Sequence, residues 1–123
     1  MRKLLWHPLV RAFIGWVFEH MSFAIPVKRL RETDTLMAFH HPKPAYPFHV
    51  LLVPKNAVAQ LNDLDPADAA FLSDLFFTVQ SLVEEFHLPA WRLIVNGGEF
   101  QEFPQLHFHL ISEVGTQQNL NGY

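Results

Sequence analysis

The chain has 123 residues, of which 50% are hydrophobic and 14% aromatic, enough for one domain with one core and too few for two. Nine basic against twelve acidic residues give a net charge of −3, which leaves no electrostatic footprint for nucleic acid. The absence of cysteine excludes disulfides, thiolate metal sites and a cysteine nucleophile, while eight histidines stand out.

Residues 1–22 open with two cations and many apolar side chains, but His7, Pro8, Arg11 and Glu19 interrupt the run. The longest clean stretch, Ala12 to Phe18, is far shorter than the roughly 20 residues a membrane span needs. Leu9, Val10, Phe13, Ile14, Val17 and Met21 follow helical spacing after Pro8, so an amphipathic helix packed on the domain or on a second subunit is expected. With no transmembrane segment and no convincing export signal, a cytoplasmic location is the expectation. "FAIPVKRLRE" reads as a short edge strand limited by Pro26, and "TLMAFHH" (residues 35–41) as a second strand. Prolines at 42, 44 and 47 then make a rigid connection into "FHVLLVPK" (residues 48–55), a third strand.

A helix follows, with Asp65 as its cap, Pro66 at its first position and Asp68 in its first turn. Phe71, Leu72, Leu75, Phe76, Val79, Leu82, Val83 and Phe86 form its apolar stripe, and Pro89 stops it. "WRLIVN" (residues 91–96) is a fourth strand, Gly97 and Gly98 break the chain, and "QLHFHLIS" (residues 105–112) is the fifth. The polar tail, residues 116–123, is expected to be flexible.

These elements predict an α+β fold: an antiparallel sheet of about five strands with one long helix on one face. In the last strand Leu106, Phe108 and Leu110 share the side that meets the helix, and Gln105, His107 and His109 share the other. Those imidazoles are therefore expected to face a cleft.

The pieces and their order resemble the histidine-triad (HIT) family of nucleotide hydrolases and transferases. The family signature is His-φ-His-φ-His-φ-φ, with φ hydrophobic, and "QLHFHLI" matches it except at the first position, where Gln105 replaces histidine. "MAFHH", "PFHVLLVPK", "RLIVNGG" and "IPVKRLRE" are similar to further family landmarks in the usual order. The resemblance makes residues 23–115 a HIT-like domain. It implies that His107 is the nucleophile, attacking the α-phosphorus of a purine nucleotide or nucleotide conjugate to form a nucleotidyl-imidazole. His109 and His49 are then the imidazoles that stabilise the phosphoryl oxygens, with Gln105 orienting its neighbours. Asn96, Phe39, His41 and Gln101 are the implied nucleotide-binding residues. No cofactor and no metal are implied, and the partner is a second copy of the chain, joined through the long helix and the Trp/Arg-bearing strand.

Departures from the pattern are concrete. Gln105 cannot titrate, His41 stands where relatives carry a ribose-binding aspartate, Phe100 replaces a glycine, and Glu102 falls where many relatives carry serine or threonine. They leave two competing readings open: a module that binds nucleotides with weak or no turnover, and a zinc site built from His107, His109 and His49.

Overall fold

A computed structural model of the chain describes residues 28–114; the N-terminal helix and the tail expected from the sequence lie outside them. Five strands and one long helix follow in order: β1 (Arg31–Glu32), β2 (Leu36–His40), β3 (Phe48–Pro54), α1 (Ala69–Glu85), β4 (Arg92–Val95) and β5 (Phe108–Ser112). All strand pairs are antiparallel, in the spatial order β1-β2-β3-β5-β4, so the last strand in sequence is inserted between β3 and β4. Within the described residues no helix is long and apolar enough to cross a membrane.

The period of two along each strand decides what is inside. Leu36 and Ala38 of β2, Phe48, Val50 and Leu52 of β3, and Phe108 and Leu110 of β5 all turn to one side. There they meet Phe71, Leu75, Val79 and Leu82 of α1. Polar clasps fix the helix over this layer: Thr35 Oγ1 donates to Asp74 Oδ2 across 2.6 Å, and Arg31 bonds Ser81 Oγ across 3.0 Å and pairs with Glu85. The opposite face is also partly closed, since Met37, Val53 and Ile111 are buried as well.

The boundaries differ from the expected ones for local reasons. Asp68, not Asp65, caps α1, its carboxylate accepting from the Phe71 N–H; Asp65 instead accepts from the Ala67 N–H and shapes the preceding turn. At the other end the chain reverses at His87, whose φ of 50° is left-handed, and the Leu88 N–H returns to the Val83 carbonyl. Pro89 lies beyond this reversal and is not what ends the helix. The last strand opens only at Phe108, because the Leu106 N–H is drawn out of the ladder to the Val58 carbonyl.

Candidate functional site

The face of the sheet turned away from α1 carries the histidines in register. Phe39, Leu51, His109 and Ile94 form one row across β2, β3, β5 and β4, and His49 stands opposite Ile111 in the next. His107 sits one residue before the ladder begins, on the same side as His109. Residues 97–105 fold over this face, starting at Gly98, whose φ of 58° a side chain would strain. Between sheet and loop is a cavity of about 630 Å³, within the usual range for a small-molecule site.

Hydrogen-bond partners determine where each ring proton resides, because an N–H only donates and a carbonyl only accepts. The Ala45 N–H donates to His49 Nδ1 across 3.1 Å, so neutral His49 carries its proton on Nε2. That proton is donated to His109 Nδ1 across 2.9 Å, which leaves the His109 proton on its own Nε2. This Nε2 is buried and has no partner among the described residues. His107 is held the other way round: its Nδ1–H donates to the backbone carbonyl of Gln105 across 2.8 Å, so the neutral ring keeps a lone pair on Nε2. The two rings meet edge to face with centroids 5.0 Å apart. The site therefore offers a nucleophilic nitrogen and, beside it, a positioned donor.

The Pro-rich connection between β2 and β3 sets this arrangement. Pro42 and Pro44 have no N–H, and the residue after each, Lys43 and Ala45, directs its own at His41 Nδ1, across 2.9 Å, and at His49 Nδ1. His41 thus also carries its proton on Nε2, and its ring lies 4.4 Å from that of His49. Burial holds the pKa of His109 down to about 4, aided by the charges that His107, His49 and His41 would carry. Burial likewise lowers His49, with His41 adding to it, and lowers His41, with His107 adding to it. These rings stay neutral near pH 7, which preserves the tautomers just described.

Most residues expected at the site are brought together. His107, His109, Gln105, Asn96, Phe39 and His41 all line the cavity. His49 stands behind His109 and acts on the cavity through it. Gln101 is not among the cavity's walls: its buried side chain donates to the Ala59 and Phe103 carbonyls and braces the loop. Gln105 is equally buried, its Nε2 donating to the Pro54 and Asn56 carbonyls. Sequence reasoning missed Leu51, Val53 and Phe103 as walls; strand alternation from His49 would have found the first two. The zinc arrangement is not supported, because His49 and His109 direct nitrogens at each other, and no trio of His, Asp or Glu among the described residues is placed to hold an ion.

The chain is similar to known proteins over this whole region. The family model described as HIT domain matches residues 22–116. An uncharacterized 13.2 kDa HIT-like protein of Azospirillum brasilense is 34% identical over 93 residues, covering 72% of this chain and 76% of that protein. A crystal structure of a HIT family hydrolase from Legionella pneumophila superposes with a TM-score of 0.70 at 26% identity, covering 77% of this chain and 88% of the other. A histidine triad nucleotide-binding protein from Candida albicans gives 0.66 at 26% identity, covering 78% and 72%. With the five-stranded sheet, its single long helix and the family model agreeing over three-quarters of its length, the chain belongs to the HIT family.

Proposed function

We propose that the protein is a nucleotide hydrolase or nucleotidyl transferase that cleaves at the α-phosphorus through a covalent nucleotidyl-histidine on His107. The observation that carries this reading is the bare Nε2 of His107, left with its lone pair by the Nδ1–H bond to its own chain at Gln105 and facing a cavity of about 630 Å³. His109 supports it, since an anionic phosphoryl oxygen would satisfy the buried Nε2–H that otherwise has no partner among the described residues, at a cost of about 1–3 kcal/mol for such an orphan.

In the first step His107 Nε2 bonds to phosphorus and the leaving group departs with the electron pair. In the second, water or another acceptor attacks phosphorus and the pair returns to His107. His49 holds the His109 tautomer, and the Ala45 N–H holds that of His49. A purine nucleotide is the proposed ligand, with Phe39 against the base and Asn96 and His41 near the sugar and phosphate. Two copies joined through α1 and β4 are proposed as the working unit; the exposed Phe76 and Phe77 on α1 and the exposed Trp91 just before β4 support it.

The second reading, a binding module with weak or no turnover, is favoured by one observation. Gln105 spends its amide N–H groups on the Pro54 and Asn56 carbonyls and has no proton to pass to a leaving group. Trapping separates the two. The full chain mixed with an adenosine phosphoramidate and quenched should show an adenylyl adduct on the peptide containing His107, and His107→Ala should lower turnover by roughly 10³-fold or more. AMP release unchanged by that substitution would overturn the mechanism.

A further inference from the structure

The imidazole protons of the cavity are all assigned, and the second step of the proposed reaction still needs a proton acceptor. Once His107 Nε2 is bonded to phosphorus its lone pair is gone, while its Nδ1–H stays with the Gln105 carbonyl. The adduct ring is therefore a cation, and it departs as neutral imidazole when the bonding pair returns, so it needs no proton in order to leave. The attacking water is different, because it must lose a proton as its oxygen bonds to phosphorus.

Elimination leaves one side chain for that task. His109 and His41 present N–H groups to the cavity, their Nδ1 atoms already filled by His49 and by the Lys43 N–H. His49 is engaged at both nitrogens. Asn96 and Gln105 are amides, whose oxygens accept hydrogen bonds but take up no proton near neutral pH. Apart from Glu102, the remaining walls are phenylalanine, leucine and valine. Glu102 is exposed on the cavity wall, and no ion pair or hydrogen bond engages it among the described residues. Its backbone is anchored on both sides: Gln101 donates to the Ala59 and Phe103 carbonyls, Gln105 to those of Pro54 and Asn56, and both glutamines are buried.

On the covalent reading proposed above, we infer that Glu102 is the general base of the second step and takes a proton from the water that attacks nucleotidyl-His107. The water oxygen bonds to phosphorus, the P–Nε2 bond breaks, and its electron pair returns to the ring. One water hydrogen passes to the carboxylate and the other stays on the new phosphate hydroxyl. Exposure then lets Glu102 release its proton to solvent. The same negative charge repels anionic acceptors, which favours water.

The test follows the adduct through time. Wild type and Glu102→Gln, both full-length, are mixed with an adenosine phosphoramidate and rapidly quenched, and the adenylyl group on the His107 peptide is measured by mass spectrometry. The adduct should form in both and decay roughly 10²-fold more slowly in the variant. Azide, a nucleophile with no proton to lose, should restore decay in Glu102→Gln by releasing the nucleotide as its phosphoryl azide, and should barely change wild type. Decay unaltered by Glu102→Gln, or slowed decay that azide does not restore, would overturn the inference and leave the His107 mechanism standing. An adduct in wild type alone would move Glu102 to the first step and overturn the inference as well. No adduct in either protein would overturn the mechanism and the inference together.

Discussion

The two faces of the sheet are built on different principles. Toward α1 the strands present Leu36, Ala38, Phe48, Val50, Leu52, Phe108 and Leu110, side chains that need only be apolar and of the right volume. On the other face each imidazole depends on one particular partner. His107 needs the Gln105 carbonyl, His109 needs His49, and His49 needs the Ala45 N–H. Hydrophobic packing spreads its free energy over many contacts, whereas a tautomer hangs on a single hydrogen bond. The first face tolerates substitution gradually, and the second fails at single atoms.

That contrast is sharpest in stability. Leu82 is fully buried in the core between helix and sheet, and Leu82→Ala should cost about 2–5 kcal/mol in urea unfolding. Protein that remains folded should still form the His107 adduct, because no imidazole contact passes through Leu82. Loss of adduct in the folded fraction would mean that the faces are coupled.

Gln105→Ala probes the opposite side with a smaller expected cost, about 1–3 kcal/mol, as buried carbonyls at Pro54 and Asn56 lose their donors. Here activity should fall along with stability, since the same residue's backbone carbonyl orients His107. An activity unchanged by Gln105→Ala would show that the orientation of His107 does not depend on this brace.

The smallest effect is a pH drift confined to the imidazole face. His109 is held to about 4 in the folded chain against about 6.5 when unfolded, so below pH 6.5 the unfolded state binds more protons. Stability should therefore be fullest above pH 6.5, fall as pH drops toward 4, and flatten beneath it; His41 and His49 contribute with the same sign. Solvent screening keeps the slope from His109 under the roughly 1.4 kcal/mol per pH unit that one proton allows. Unfolding midpoints at pH 7 and pH 5 in wild type and His109→Asn check this: the difference should shrink in the variant.

What the sequence by itself determined is the part governed by local periodicity. Alternation in β2, β3 and β5, the apolar stripe of α1 and the His-x-His spacing of β5 each follow from backbone geometry, so the fold class and the grouping of His107 with His109 were legible. The family landmarks added His49, Asn96, Phe39 and His41. What only the tertiary structure decided is where long-range hydrogen bonds go: Gln101 turned inward to brace the loop, Asp68 taking the cap from Asp65, and Leu106 leaving the ladder for Val58. The tautomers of His41 and His49 belong here too, since they depend on Lys43 and Ala45 N–H groups aimed by a proline-rich turn. A side chain's facing is set by its own strand, but its hydrogen-bond partner is set by whichever distant backbone group arrives beside it.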